Sequence, residues 1–368
     1  MSPQRTPLIG IIGGYGSVGR SAAISLATHG RFRLRIGGRD GDAARACAAR
    51  LTVRAEATTV DATDTDSVVR FSQGCRTVLD CSGPAHLLAD RASRAVFAAG
   101  ADYVHVMGHG RAIDPVPGRT AVSAAGLAPG LSGLLPGLLA QGLCPGGKFT
   151  GCYARRGAFT RAGAVDHLLS MEHGDGVPRA VWRGGAVHTA AGVQENFLVP
   201  GVSGPLVAHP FLTGELADRA RELGLEEARW YHAFDGPALP GVLNCSRDGH
   251  LTVRDVGVRA EELVRSSVRD VAGRTPYHVL WGSLEGVNQE GNAVTRTVLV
   301  RVEDGSRLAG AVGAFAAAAV SNGQVLRGAH EASSVLSPQA VADWLRRCVP
   351  GVSVRQTTSA APGSFRSR

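Results

Sequence analysis

The feature that most constrains this chain is a glycine-rich turn that directly follows an apolar segment near its amino-terminal end. Residues 8–19 read LIGIIGGYGSVG. The turn itself consists of Gly14, Tyr15, Gly16, Ser17, Val18 and Gly19. In such a turn the first glycine permits the bend, the second lets the backbone approach a pyrophosphate, and the third lets the next helix pack on the strand. Because the N–H groups of that helix hold the anion, the segment predicts a dinucleotide-binding unit.

The surroundings of this turn strengthen the prediction. A chain with 49 glycines also produces this spacing by chance in surface turns. Here, however, the turn opens a helix-like stretch, Arg20 to His29, which ends at Gly30. Glycine at that position is typical of a helix C-cap. We therefore expect a strand, a tight turn and a helix in succession.

Strands and helices alternate over the first part of the chain. Short apolar segments predict strands at 33–36, 77–82, 103–107 and 120–125, and a further strand that ends at Asp61. Helix-like segments lie between them, at 42–51, 64–73 and 85–99. This alternation predicts an α/β fold with an N-terminal Rossmann domain, a doubly wound parallel sheet, over residues 1–145.

The pattern changes after about residue 145, where loops become longer. The segments 277–285 and 294–302 flank a Gly-Asn turn and predict an antiparallel hairpin. We expect a second, α+β domain with a mixed sheet over residues 146–310, for substrate binding and dimerisation. Helices over residues 311–355 are expected to return to the Rossmann domain. The polar residues 356–368 predict a disordered tail.

Composition excludes several classes of protein. The formal net charge of +8 comes from arginines scattered along the chain, since Lys148 is the one lysine, so we expect no nucleic-acid binding. The seven cysteines are dispersed without a CxxC pair, which predicts neither disulfides nor a metal site. No apolar run is long enough to cross a bilayer. These features predict a reduced, cytoplasmic protein that does not bind membranes.

The end of the second predicted strand indicates which nicotinamide coenzyme the turn would hold. NAD-binding domains place an acidic side chain there against the ribose diol, whereas an arginine accommodates the 2′-phosphate of NADP. Arg39 follows two glycines at this position, and its guanidinium can pair with a phosphate and stack on adenine. We predict NADP, and the adjacent Asp40 keeps NAD as the alternative.

Two later segments are predicted to line the same cofactor site. Asp61 ends the third strand, where it would lie near the adenine or, alternatively, cap the next helix. Ser82, Gly83 and Pro84 end the fourth strand, where the chain passes the nicotinamide half of the cofactor. His105, near the end of the fifth strand, is a candidate catalytic residue because histidine titrates near neutral pH. Its alternative is a structural histidine in the wall of the crevice.

Taken in order, these segments resemble one known family. GGYGSVG, then GGR, VDATD, VLDCSGPA, DYVHVMG and AGLAPGL follow successive predicted strands. Together they resemble the saccharopine dehydrogenase-like family of NAD(P)-dependent oxidoreductases, as does the stretch GAHEASSVLSPQAV near the carboxyl end. The resemblance implies a homodimer and a small-molecule substrate. His105 stands where the family often has an acidic residue, which argues against saccharopine itself.

A second group of candidates lies in the predicted substrate domain. Asp166, His167, Glu172 and His173 fall on or beside a helix-like segment. Asp166 and His167 follow a loop that would face the cofactor in the family's architecture, so we predict them as catalytic residues. A carboxylate beside an imidazole can tune it and relay a proton. The alternative is a solvated polar helix face.

These predictions define an expected reaction and its rivals. The resemblance implies an NADPH-dependent oxidoreductase that transfers hydride to a C=N or C=O carbon of a small metabolite, amino-acid-derived or specialised. An enoyl reductase of the same family is one alternative. A non-catalytic sensor of NADP(H), in which the second domain binds a partner, is another.

Overall fold

The computed structural model describes residues 6–108, 113–114, 116–172, 176–189, 192–239 and 253–360. For residues 171–172 and 253–254 it describes the backbone alone. The chain divides into two compact units. Unit 1 comprises Met1–Leu131 and Gly305–Pro350, and unit 2 comprises Ser132–Asp304 and Gly351–Arg368. Residues 132–145, expected with the amino-terminal domain, thus group with unit 2.

Unit 1 is built from strands that alternate with helices. Its strands are β1 (Leu8–Ile12), β2 (Arg33–Gly38), β3 (Ala55–Thr59), β4 (Thr77–Asp80), β5 (Asp102–His105), β6 (Thr120–Ser123) and β16 (Gly328–Glu331). Its helices are α1 (Ser17–His29), α2 (Gly41–Ala48), α3 (Thr65–Ser72), α4 (Ala85–Ala98), α9 (Gly305–Ser321), α10 (Ala332–Val335) and α11 (Pro338–Cys348). The predicted sequence of elements is confirmed.

The sheet of unit 1 is parallel throughout, in the order β3-β2-β1-β4-β5-β6-β16. This is the order of the doubly wound Rossmann fold, in which the strand order reverses between β1 and β4. All five residues of β1 are buried, as expected for a strand covered by helices on both faces. Ligands bind at the carboxyl edge of such a sheet, beside that reversal.

The returning carboxyl-terminal helices belong to this same unit. Helix α9 lies against α1 so closely that a Cβ on Gly310 would come within 2.5 Å of the Val18 carbonyl oxygen. Glycine at this position therefore permits the backbones to approach. Ser321, at the end of α9, donates a buried 2.8 Å hydrogen bond to the Thr77 hydroxyl of β4. The predicted return of the chain to the Rossmann domain is confirmed.

Unit 2 contains a mixed sheet with helices beside it. Its strands are β7 (Lys148–Arg156), β8 (Gly176–Pro178), β9 (Ala180–Arg183), β10 (Ala186–Thr189), β11 (Gln194–Phe197), β12 (Leu206–Thr213), β13 (Glu227–Phe234), β14 (Tyr277–Val287), β15 (Ala293–Val302) and β17 (Ser353–Ala360). Its helices are α5 (Leu131–Ala140), α6 (Arg161–Glu172), α7 (Gly214–Glu222) and α8 (Val253–Val271). Strands β7 and β13 are parallel, and the other pairs are antiparallel.

Two predictions for unit 2 have opposite outcomes. The hairpin is confirmed, since β14 and β15 pair in continuous antiparallel register, from His278 opposite Val302 to Val287 opposite Ala293. The disordered tail is wrong for residues 356–360, because β17 pairs with β15 over its full length. Its Thr and Ser side chains are exposed, so this edge strand lacks the apolar alternation that signals a buried one. Residues 361–368 lie outside the described part of the chain.

The sheet of unit 2 has two different faces. Along β7, Cys152 and Ala154 point to a buried apolar cluster that also contains Ala233 and Val279. Tyr153 and Arg155 alternate with them and therefore lie on the opposite face. Helices α6 and α8 contribute to a second apolar cluster that covers part of that opposite face. Across the described residues, we find no helix with the length and apolarity that a membrane span requires.

Candidate functional site

The carboxyl edge of the parallel sheet in unit 1 brings together most of the residues predicted to hold the cofactor. The glycine-rich turn follows β1, Arg39 follows β2, and Asp61 follows β3. Ser82, Gly83 and Pro84 follow β4, and the Gly83–Pro84 peptide bond is cis. These segments meet at one edge because the strands are parallel. The structure thus assembles the predicted set, while the role of each residue stays a prediction.

The glycine-rich turn leaves room for a phosphate. Helix α1 begins at Ser17, and its N-cap residue is Gly16. No side chain caps the first N–H groups of the helix, and its first turn contains no acidic residue. A Cβ on Gly19 would lie 2.2 Å from the Gly13 carbonyl oxygen, so only glycine fits there. A Cβ on Gly16 would meet a single neighbour within 4 Å, the same oxygen at 3.2 Å. The uncapped helix end and the open space fit a pyrophosphate.

Tyr15 connects the glycine-rich turn to the end of β2. Its ring packs against Gly38, where any side chain would collide with it. Its hydroxyl accepts a 3.1 Å hydrogen bond from the backbone N–H of Asp40. The Asp40 carboxylate in turn accepts hydrogen bonds from two backbone N–H groups, of Asp42 at 2.9 Å and Ala43 at 3.0 Å. Asp40 is therefore engaged as the N-cap of α2, whereas Arg39 is exposed.

Asp61 forms a local turn at the same edge. Its carboxylate accepts hydrogen bonds from the backbone N–H and the hydroxyl of Thr63, at 2.9 and 2.8 Å. These bonds, and to a smaller extent the charge of Arg39, lower the pKa of Asp61. The alternative that Asp61 caps the next helix is wrong, because Asp64 is the N-cap of α3. The electrostatic influence of Arg39 on Asp61 fits their placement on neighbouring strands β2 and β3.

The buried carboxylate of Asp80 fixes the segment that follows β4. Oδ1 accepts hydrogen bonds from the backbone N–H of Ser82 at 2.8 Å and from its hydroxyl at 2.6 Å. Oδ2 accepts a 2.8 Å hydrogen bond from the Tyr103 hydroxyl on β5. Asp80 was not among the residues predicted from the sequence. The signal was present, since an aspartate that ends an apolar strand needs buried partners.

His105 is buried at the end of β5. Its Nδ1 atom contacts both the carbonyl oxygen and the backbone N–H of Met107, and its ring stacks on that of Tyr103. Its Nε2 atom is buried and has no hydrogen-bond partner among the residues that the structure describes. The contacts through Nδ1 are local, with the backbone two residues along the chain. The catalytic role of His105 stays a prediction.

The second group of predicted residues lies in unit 2. Asp166 is buried and His167 is half-buried, so the alternative of a solvated helix face is wrong for both. The His167 ring lies 6.4 Å from that of His232 on β13 and 5.5 Å from that of Phe159. The side chain of Glu172 and the whole of His173 lie outside the described residues. Catalysis by Asp166 and His167 stays a prediction.

His167 belongs to a larger polar group on the sheet, which we call the histidine–arginine cluster. It consists of Tyr153, Arg155, His167, His232 and His278. The hydroxyl of Tyr153 lies 2.7 Å from Nδ1 of His278. The Arg155 guanidinium carbon lies 3.5 Å from the centre of the Phe159 ring and 5.2 Å from that of Phe234. Each member of the cluster is half-buried.

Burial and the charge of Arg155 keep the imidazoles of this cluster neutral. Burial, followed by the Arg155 charge, lowers the pKa of His167 to about 3 and that of His278 to about 4. The same two causes lower the pKa of His232 to about 3. Burial also raises the pKa of the Tyr153 hydroxyl. Near neutral pH, the cluster therefore holds one permanent cation, Arg155, among neutral hydrogen-bonding groups.

Of this cluster, only His167 was predicted from the sequence. The others lie on strands β7, β13 and β14, which are far apart in the chain and come together only through pairing across the sheet. Two of these strands do carry a signal, because Tyr153, Arg155 and His232 alternate with buried apolar residues along β7 and β13. Polar residues at alternate positions indicate a shared face, but not which strands share it.

Comparison with known proteins agrees with the sequence resemblance. Residues 9–122 match the model of the saccharopine dehydrogenase NADP-binding domain. The whole chain is similar in structure to a histidine-tagged apo saccharopine dehydrogenase (L-Glu forming) from Saccharomyces cerevisiae, with a TM-score of 0.69 and 14% sequence identity. That likeness covers 96% of this chain and 100% of the yeast chain, and it shows a shared fold.

Other solved structures resemble a smaller part of the chain. Pen from Bacillus thuringiensis is 16% identical with a TM-score of 0.25, over 30% of this chain and 40% of its own. A putative short-chain dehydrogenase/reductase from Sinorhizobium meliloti 1021 is 16% identical with a TM-score of 0.25, over 30% of this chain and 65% of its own. No curated protein matches the sequence. The family model confirms the predicted resemblance and an NADP-binding amino-terminal domain, and the yeast structure shows the same fold.

Proposed function

We propose that the protein is an NADPH-dependent reductase of a small metabolite. The premise is that the amino-terminal domain of this chain is a saccharopine dehydrogenase NADP-binding domain. NADPH supplies a hydride when it is bound. The chain itself must then hold the acceptor carbon in place, exclude water and control one proton. The acceptor that we propose is the C=N carbon of an imine, with a C=O carbon as the less favoured form.

The observation that carries the choice of coenzyme is the contrast between Asp40 and Arg39. Oδ1 of Asp40 already accepts two backbone hydrogen bonds as the cap of α2, so this oxygen is engaged at the start of that helix. Arg39 is exposed beside it and can reach a 2′-phosphate. The glycine-rich turn would hold the pyrophosphate, and Ser82, which Asp80 positions, would lie beside the nicotinamide half.

The neutral state of His167 favours an imine acceptor. A ketone needs a proton donor, whereas a protonated imine brings its own proton to the reaction. His167 is neutral near neutral pH, since burial and Arg155 lower its pKa to about 3. A neutral imidazole can accept a hydrogen bond from an iminium N–H, but it is a poor source of a proton at that pH. Asp166 and His105 remain candidates for orienting the substrate.

Binding and turnover assays test this function separately. Calorimetry with the purified protein should show uptake of NADPH that is at least tenfold tighter than that of NADH. NADPH oxidation would then be followed by the loss of its nicotinamide absorbance, with 2-oxo acids plus amines, simple ketones and enoyl thioesters as acceptors. Turnover with any of them contradicts the sensor alternative. Absence of binding to either reduced coenzyme would contradict the proposed function itself.

A further inference from the structure

Arg155 is a partly buried cation that, within the described part of the chain, has no ion-pair partner. No carboxylate of the described residues lies within 4.0 Å of its guanidinium nitrogens. Its charge acts on the neighbouring Tyr153 hydroxyl, and its guanidinium carbon lies 3.5 Å from the centre of the Phe159 ring. The next residue, Arg156, points to the other face of the sheet and forms a 2.6 Å ion pair with Asp235. Two successive arginines of one strand thus differ in whether a carboxylate neutralises them.

The position of this guanidinium indicates an anionic ligand. Burying a charge without a counter-charge costs free energy, and burial lowers the pKa of Arg155. A planar guanidinium whose face is already stacked presents its N–H edge to a ligand. That edge matches the two oxygens of a carboxylate in a bidentate pair. Arg155 and the remaining members of the cluster are half-buried, so each keeps some exposure to solvent.

The surroundings of Arg155 limit how much charge such a ligand can carry. The three imidazoles of the cluster are neutral near neutral pH and offer hydrogen bonds without charge. The negative charge of Asp304 acts to raise the pKa of both Tyr153 and His278. The rings of Phe159 and Phe234 supply apolar surface. One cation in these surroundings balances a single carboxylate and does not provide for a second.

We propose that Arg155 and the Tyr153 hydroxyl bind the carboxylate of the substrate, and that this substrate is a monocarboxylate whose remaining part is uncharged and apolar. This inference rests on the proposed function, because it names the substrate class of the same reductase. In it, Arg155 and Tyr153 are substrate-binding residues, and His232 and His278 contact Tyr153 and hold it in place. Binding of this carboxylate is non-covalent: no bond of the substrate is broken, and one ion pair forms.

Matched pairs of carboxylates and esters test this proposal without requiring that the natural substrate be identified. The probes are 2-oxo carboxylates from pyruvate to phenylpyruvate and their methyl esters, titrated by NMR into the wild-type protein saturated with NADP⁺. We expect at least one carboxylate to bind at least tenfold more tightly than its ester. Equal affinity within every pair, including absence of binding by both members, overturns the proposal.

Substitutions of Arg155 assign the effect to this residue. Arg155→Gln should weaken binding of the preferred carboxylate at least tenfold and leave the affinity for its ester unchanged. Arg155→Lys, which keeps the charge but loses the planar fork, should show an intermediate affinity. A wild-type affinity for the carboxylate in Arg155→Gln overturns the proposal. If neither variant folds, the comparison of carboxylate with ester in the wild-type protein still decides.

NADPH binding separates failure of this inference from failure of the proposed function. We expect the Arg155 variants to bind NADPH with the wild-type affinity, because the predicted cofactor residues all belong to unit 1. Wild-type NADPH binding without any preference for carboxylates overturns only the substrate class. Absence of NADPH binding by the wild-type protein contradicts the proposed reductase function itself.

Discussion

The hydroxyl of Tyr103 donates a 2.8 Å hydrogen bond to the carboxylate of Asp80, and both side chains are fully buried. This bond joins β4 to β5 at the carboxyl edge of the parallel sheet. The other oxygen of Asp80 holds the backbone N–H and the hydroxyl of Ser82. The edge that presents the predicted cofactor residues is therefore stabilised from within by a polar network, and not by apolar packing alone.

Tyr103→Phe should destabilise the protein by about 1–3 kcal/mol, because it leaves one oxygen of a buried carboxylate without its donor. Urea unfolding followed by circular dichroism measures the change. Tyr15→Phe is the matched control, since it removes the same hydroxyl from a partly exposed ring whose partner, the Asp40 N–H, water can satisfy. An equal loss of stability in the two variants would contradict the role assigned to the buried pair.

Two glycines of the turn should separate folding from cofactor binding. Gly19→Ala places a methyl group 2.2 Å from a backbone oxygen, so we expect the unfolding free energy to fall by about 1–3 kcal/mol or more. Gly16 has φ −64° and ψ 169°, which valine adopts readily, and apart from one 3.2 Å contact of its Cβ with the Gly13 carbonyl oxygen the space beside it is open. Gly16→Val should therefore melt near the wild-type temperature yet lose NADPH binding. Wild-type affinity for NADPH in that variant would exclude a pyrophosphate from this turn.

Arg39→Ala should reduce the affinity for NADPH at least tenfold and that for NADH much less, because the 2′-phosphate is a partner that only NADPH has, whereas both coenzymes carry the adenine on which Arg39 can stack. Calorimetry with both coenzymes measures the difference. Arg45→Ala is the control, because Arg45 is also exposed and lies on α2, where it pairs with Asp42. An equal loss of both affinities in Arg39→Ala would mean that Arg39 does not recognise the phosphate.

Much of unit 1 could be predicted because its signals are local. The glycine-rich turn, the strands and the helix ends each occupy a few consecutive residues, and a parallel alternation restricts the sheet order to few possibilities. The ends of the strands indicate the candidate cofactor residues, so Arg39 and Ser82 could be predicted at this edge. Asp80 and Tyr103 were missed because their hydrogen bond joins two strands, and a pattern within one strand does not reveal a partner on another.

Unit 2 could be predicted in outline only. The hairpin of β14 and β15 is local and could be predicted, whereas the parallel pairing of β7 with β13 joins strands that β8 to β12 separate along the chain. That pairing is what brings His232 beside Tyr153 and Arg155. The polar sequence of the edge strand β17 predicts a tail, because exposed Thr and Ser residues resemble those of a disordered segment. Non-local backbone pairing, which sequence periodicity does not specify, accounts for both results.

The half-buried histidines of the cluster should make the protein less stable in mild acid. In the folded state the pKa of His232 is lowered to about 3, by burial and by Arg155, whereas an unfolded histidine titrates near 6.5. Between these values the unfolded chain binds the additional proton, so stability should fall as the pH decreases from about 6.5 towards 4. The slope of unfolding free energy against pH is proportional to the number of protons taken up on unfolding. His232→Gln should reduce that number by up to one and so make the decline less steep. His188→Gln, which changes an exposed histidine, serves as the control and should keep the wild-type slope. An unfolded imidazole takes up its proton between roughly pH 4.5 and 6.5. If the plots of unfolding free energy against pH for His232→Gln and the wild type run parallel in this window, His232 is not held neutral by Arg155 and its surroundings.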